Sequence, residues 1–235
     1  MPRLLVHVEG QTEETFVKEV LSEHLTRFGY SSVSARLVGN PRLRSRRGGI
    51  RSWETVRKEI QRHLKEDHGA IATIMVDYYA LPQDWPGRAE APGKSSTREK
   101  AEFVEASLFD DFANAKEMGP RFDARRFVPL VIMHEFEALL FSAPDRFALG
   151  ICRRDLAEEL RAIRQAFESP EDIDDSPETA PSKRIEQLYP GYEKPLLGPL
   201  AAMEIGLSTI RQECHHFNNR MVHLESLPEL LSYLQ

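Results

Sequence analysis

The chain has 235 residues, 41% hydrophobic and 29% charged, with a formal net charge of -6 at pH 7. That is ordinary for a soluble globular protein and enough for one large domain or a core domain with an appendage. No apolar run approaches a bilayer span, and the acidic balance argues against nucleic-acid binding through overall attraction, leaving room only for a local basic patch.

The two cysteines, Cys152 and Cys214, have no metal-type spacing. They fit free thiols in a reducing cytoplasm. One early arginine, then a strand and acidic residues, gives no secretory signal, so a cytoplasmic location is the expectation.

Leu4 to Val8 reads as a short strand covered on both faces, and it stops on Glu9. Gly10 permits a tight turn. Thr12 is placed to cap a helix running to about Phe28, with Glu13 and Glu14 in its first turn. Phe16, Val20, Leu21 and Leu25 give that helix an apolar stripe, and Gly29 ends it. Val33 to Val38 follows as a second strand.

The stretch from Asn40 to Arg51 concentrates Arg42, Arg44, Arg46, Arg47 and Arg51 around Gly48 and Gly49. A solvated loop is the plain reading. A phosphate-contacting loop is the functional one, because guanidinium forks match phosphate oxygens and glycine lets backbone approach a ligand.

A helix over about Ser52 to Lys65 comes next, with Val56, Ile60 and Leu64 at spacings of four. Ala70 to Val76 is the strongest buried-strand signal, and it ends on Asp77. A turn-rich loop with Tyr78, Tyr79 and Trp85 runs on to Ser96, a usual place for function. A helix over about Thr97 to Ala115 precedes the strand Phe127 to Met133. That strand leads into His134, Glu135 and Glu137 on a new helix. On such a helix His134 and Glu137 share a face while Glu135 points elsewhere.

This alternation predicts an α/β fold: a mainly parallel, Rossmann-like sheet flanked by helices. Beyond Pro144 strand signal fades. Helices are expected at Arg153–Phe167, Ser182–Leu188, Gly191–Ile205, Leu207–Cys214 and Leu227–Leu234, with an exposed acidic loop at 169–181. The expected organisation is a catalytic core over 1–145 and a helical C-terminal cap over 146–235.

Three strand ends thus deliver Glu9, Asp77 and the His134/Glu135/Glu137 group to one sheet edge, where open α/β sheets bind ligands. Carboxylates gathered there repel one another and call for a cation. Oxygen ligands of this kind suit Mg²⁺ or Mn²⁺, which can polarise a phosphoryl oxygen and activate water. Salt-bridged structural acids are the plainer alternative. His7, His24, His63 and His68 show no ligand spacing and read as structural or solvent-facing. Lys194, Arg211, His215 and His216 are candidates to reach the edge and contact phosphate. A structural role weighs as much for Arg211, and a dipole interaction at a helix end accounts for the histidine pair.

The segments Val8-Glu9-Gly10-Gln11-Thr12-Glu13, Val76-Asp77-Tyr78-Tyr79-Ala80-Leu81-Pro82 and His134 to Phe141 resemble the Toprim fold of topoisomerases, primases and overcoming-lysogenization-defect nucleases. More closely, they resemble an uncharacterised bacterial Toprim-like family, often encoded beside a RecF- or SMC-like ATPase and suspected in phage defence. The likeness extends through Lys194-Pro195, Gly198, Gly206-Leu207, Ile210-Arg211 and Cys214 to Phe217. The resemblance implies acid/base or metal roles for Glu9 and a metal-ligand role for Asp77. Tyr79 stands where the second Toprim acid belongs, which leaves three alternatives: Glu135 or Glu137 substitutes, the site holds a single metal, or the protein does not cleave. The implied activity is metal-dependent hydrolysis of DNA or RNA, with an ATPase partner and a homodimer as further expectations. A non-catalytic adaptor or sensor, or a nucleotide phosphoryl-transfer enzyme, remain alternatives. A topoisomerase is not the expectation, because 235 residues leave little room for the DNA-gate domains such enzymes carry.

Overall fold

The computed structural model describes residues 1–38, 50–115, 118–119, 122–173, 176 and 179–232. Arg42, Arg44, Arg46 and Arg47 of the arginine-rich stretch lie outside the described residues, as do Asp174, Asp175 and Glu178 of the acidic loop.

Strands β1 (Arg3–Val8), β2 (Ser32–Leu37), β3 (Ala70–Asp77) and β4 (Phe127–Ile132) form one sheet in the order β2-β1-β3-β4. Every pairing is parallel, with Val8 opposite Met75 and Asp77 opposite Ile132. The strand pleat sends alternate side chains to opposite faces, and each face buries its own cluster. Leu4, Val6, Val8, Ile71, Met75, Leu130 and Ile132 face one, Ala72, Ile74, Val76 and Val131 the other.

Helix α1 covers the first face. It starts at Gln11–Phe16, passes through a π-helical stretch at Val17–Leu21 and ends at Ser22–Thr26. Gly29, at φ 97°, terminates it as expected. The cap differs from expectation. Gly10, not Thr12, is the N-cap, and Glu13 Oε2 accepts the Gly10 N–H at 3.1 Å. Thr12 is instead buried. The second face is covered by α2 (Trp53–Glu66) and α3 (Thr97–Ala113), whose Val56, Ile60, Leu64, Val104 and Leu108 fill that core.

After β4 the chain is helical: α4 (Phe136–Leu140), α5 (Pro144–Gly150), α6 (Ala157–Gln165), α7 (Pro181–Leu188), α8 (Lys194–Ile205), α9 (Leu207–Glu213) and α10 (His215–Ser232). Ala201, Ala202, Ile210, Phe217 and Met221 from these helices share one apolar cluster with β1 and α1.

Three expectations for this region need correction. The helix expected over Arg153–Phe167 begins later: Arg154–Leu156 is a 3-10 turn leading into α6, and a helix at Pro144–Gly150 precedes it. The final helix starts at His215, far earlier than Leu227, and it continues through Pro228. His215 and His216 therefore open a helix, where its dipole disfavours cations. The third correction concerns Glu171, read as part of an exposed loop. It is buried and accepts the His216 and Phe217 N–H groups at 2.9 Å each, which caps α10.

Strand β4 is an outer strand. Pro129 lies in it, as proline in a sheet generally does at an edge. The N–H of Val131 donates to Glu105 Oε1 from α3 at 2.8 Å, within the buried interior. Glu105 is buried and also meets His216 Nε2 at 3.0 Å and the Arg220 guanidinium.

Candidate active site at the carboxyl edge of the sheet

The site is assembled from the ends of three adjacent parallel strands. Glu9 follows β1 in the bend before α1. Asp77 is the last residue of β3 and is 6% exposed. Beyond β4, Tyr79 N–H donates to the His134 carbonyl at 2.9 Å, tying the β3 and β4 exits together. His134 adopts φ 61°, an uncommon backbone for a residue with a Cβ. It precedes α4 and is not part of it, so the shared helix face expected for His134 and Glu137 does not exist. The left-handed turn is what re-aims the chain so that Glu135 becomes the N-cap of α4 and Glu137 lies in its first turn.

Glu137 has no exposed surface. Glu135 points away, as expected, with Oε2 accepting the Ser182 N–H at 2.8 Å. It is still close enough to raise the carboxyls of Glu9 and Glu137. Lys194 comes from the far side of the chain. Its Nζ lies 2.8 Å from Glu137 Oε2 and 3.3 Å from Asp77 Oδ2. Lys194 is the first residue of α8, where a helix dipole opposes a cation. The two acids supply the compensation that the helix cannot.

Gly198 lets α8 approach closely. A Cβ there would lie 3.1 Å from Thr12 Cγ2 and 3.3 Å from Tyr192 Oη. Among the described residues the buried Tyr192 hydroxyl has no hydrogen-bond partner. Burial, then the Glu137 charge, raise its phenol.

The electrostatics are those of surplus negative charge. Burial, then Glu13, push the Glu9 carboxyl up to about 7, with Glu135 and Glu137 adding to it and Lys194 opposing. Burial raises Asp77 well above the carboxylate range, and Glu137 also moves up; Lys194 counteracts both. For Lys194 burial works downward, but Glu137, Asp77 and Glu13 outweigh it and raise the amine. One ammonium faces several acids. Among the described residues, Glu9 Oε2, Asp77 Oδ1 and Glu137 Oε1 are left buried with no hydrogen-bond partner. Such orphaned carboxylate oxygens are costly unless something positive or protonated joins them. Hard divalent cations are matched by this donor chemistry. Among the described residues, however, no three histidine, cysteine or acid side chains are arranged to hold a metal ion.

The remaining candidates fall elsewhere. Arg51 donates to the Val38 carbonyl and to Glu59, at 2.7 and 2.6 Å. Arg211 is held by Glu225 and by Asn218 Oδ1 at 2.7 Å, near His24, in a separate cluster. His216 turns to Glu105. His7 is buried against His63, ring centroids 5.3 Å apart, as a structural pair. Residues that sequence reasoning passed over are Glu13 and Tyr192. The spacing Gly10–Glu13 of a capping box was the available signal for Glu13. None marked Tyr192.

Fold and side chains together define an α/β protein with a buried acid cluster and one lysine at the carboxyl edge of a parallel sheet. No helix among the described residues is long and apolar enough to cross a membrane. The chain belongs to the family described as Domain of unknown function (DUF4276), whose model matches residues 8–225. No curated protein matches it. Among solved structures it is similar to the C-terminal region of the Xanthomonas campestris pv. campestris OLD protein. The iodine-phased structure is 15% identical and covers 99% of this chain and 98% of its own, with a TM-score of 0.43. The platinum-phased structure is 16% identical over 99% and 96%, at 0.41.

Proposed function

We propose that this protein is a metal-dependent phosphodiesterase of Toprim type that hydrolyses DNA or RNA. The observation that carries the reading is the convergence of Glu9, Asp77 and Glu137 from three strand ends, with buried carboxylate oxygens that Lys194 alone leaves unmatched. Glu9, Asp77 and Glu137, which do not stand as a three-ligand metal site among the described residues, would have to draw together to hold Mg²⁺ or Mn²⁺. When bound, such an ion supplies charge neutralisation and an activated water.

The chain's own groups do the rest. Glu9, with a carboxyl near neutrality, is suited to take or return a proton at its free oxygen. Lys194 offers positive charge to a phosphoryl oxygen at the same edge. Glu135 and His134 shape the turn that presents Glu137, and so act through it. In this reading residues 1–145 are the catalytic core, and 146–235 contribute Lys194 from a helical cap. A role in antiviral defence beside a RecF- or SMC-like ATPase rests on the family resemblance alone, as does a homodimer.

A second reading is favoured by one observation: Lys194 already pairs with Asp77 and Glu137. An internally compensated acid edge suits a non-catalytic adaptor that binds a partner protein. Cleavage of labelled DNA and RNA with Mn²⁺ decides between them, with a nucleotide panel alongside to detect phosphoryl transfer. The nuclease reading expects Glu9→Gln and Asp77→Asn to lower cleavage by at least about a hundredfold with unchanged folding. Equal activity in both variants would remove those residues from catalysis, and absence of any cleavage or Mn²⁺ binding supports the adaptor.

A further inference from the structure

The loop after β3 carries a charge that the acid cluster does not use. Arg88 is 9% exposed. Its guanidinium carbon stands 4.1 Å from the centroid of the Tyr78 ring, and Nη1 donates to Tyr78 Oη at 3.1 Å. Its Nε is buried without a hydrogen-bond partner among the described residues. Arg51, Arg57, Arg164, Arg211 and Arg220, all partly covered, each have a carboxylate partner. Arg88 has none among the described residues.

A covered guanidinium cannot shed its proton, and burying it without a counter-charge is unfavourable. The ring face and one hydroxyl recover part of that cost. They also fix the plane of the fork. Tyr78 directly follows Asp77, and its N–H donates to the Ile132 carbonyl at 2.8 Å. The arginine is therefore anchored at the exits of β3 and β4, the same edge that gathers the acids. What the arrangement lacks is an anion. A planar, pre-oriented fork donates well to the oxygens of a phosphodiester.

We propose that Arg88, held on the face of Tyr78, binds a backbone phosphate of a nucleic-acid strand and so positions that strand across the acid edge. This deepens the nuclease reading and rests on it for the nature of the ligand. It makes Arg88 a binding residue, separate from Glu9, Asp77 and Glu137.

The test is fluorescence anisotropy of the full chain with labelled single-stranded DNA and RNA, in EDTA, over a series of salt concentrations. Arg88→Gln is expected to weaken binding about tenfold and to flatten the dependence of log K on log salt by about one unit. Tyr78→Phe and Arg88→Lys, which keep the charge but loosen or lose the fork, are expected to weaken binding about threefold. Wild-type affinity and slope in a folded Arg88→Gln protein overturn the proposal. Should that variant not fold, unchanged binding in both Tyr78→Phe and Arg88→Lys overturns it instead, and so does a wild-type chain that binds neither oligonucleotide. The two readings fail separately. Cleavage lost in Asp77→Asn with normal binding by Arg88→Gln sinks only the arginine. Arg88-dependent binding with no cleavage under any metal sinks only the nuclease.

Discussion

The Lys194 ammonium lies 2.8 Å from Oε2 of Glu137, a carboxylate with no exposed surface. The pair joins the first turn of α8 to the first turn of α4 and brings the C-terminal helices to the sheet edge. It also means that any divalent ion at Asp77 and Glu137 competes with a cation already in place.

That competition is measurable. Lys194→Met removes the ammonium and leaves Asp77 and Glu137 with one less positive neighbour. Without metal the variant should melt earlier, by about 1–2 kcal/mol, a loss moderated because the lysine side chain is 34% exposed. Mn²⁺ should then raise its melting temperature more than it raises the wild type's. Equal metal-induced shifts would show that lysine and metal do not share the acids.

Gly198 sets how closely α8 can seat Lys194. Gly198→Val would drive side-chain atoms into Thr12 and Tyr192. Overpacking of this kind costs about 1–3 kcal/mol, read as a lower denaturant midpoint. Any cleavage activity should fall further than stability does, because the lysine is displaced with the helix.

Glu171 holds the start of α10 through two N–H groups. Glu171→Ala leaves both without a side-chain acceptor and should cost about 1–3 kcal/mol. Glu171→Gln, which keeps one acceptor oxygen, should cost less. Chemical denaturation of the two variants ranks them.

The His216–Glu105 contact predicts a pH dependence. Burial pulls the imidazole down, but the Glu105 hydrogen bond and charge, with Glu171, carry it above its ordinary 6.5, against Arg220. A group whose folded value is raised gives stability that is complete below its unfolded value. That contribution is lost as pH rises through the folded value. Wild-type stability should therefore decline from about pH 6.5 upward, and His216→Gln should flatten that decline. Melting curves between pH 5.5 and 8.5 would expose an imidazole that stays neutral, as an absent slope difference between the two proteins.

Much of the sheet was legible because buried parallel strands are nearly pure apolar runs. Ala70 to Asp77 ends where the pattern says, and so does Leu4 to Val8, while the strand expected over Phe127 to Met133 ends one residue earlier, at Ile132. Glu9 and Asp77 were visible for the same reason: each interrupts such a run at its exit. The turn at His134 was not, since a positive φ at histidine leaves no compositional trace. Glu171 sat among charged neighbours and looked solvated. Only the arrival of α10 overhead, a tertiary fact, makes it a cap. The start of α10 was hidden by histidines and asparagines that carry little periodic signal. Arg88 was overlooked because one arginine in a loop is unremarkable until its surroundings are known to lack an acid.

The outer strand β4 has a further consequence. Pro129 offers no donor, and the Val131 donor is already taken by Glu105. A foreign strand laid along this rim would meet two successive outward positions with no N–H left to donate to it. Oligomers, fibres or captured peptides that grow by extending the sheet are thus obstructed on this side, and any lasting assembly there has to be built from side chains.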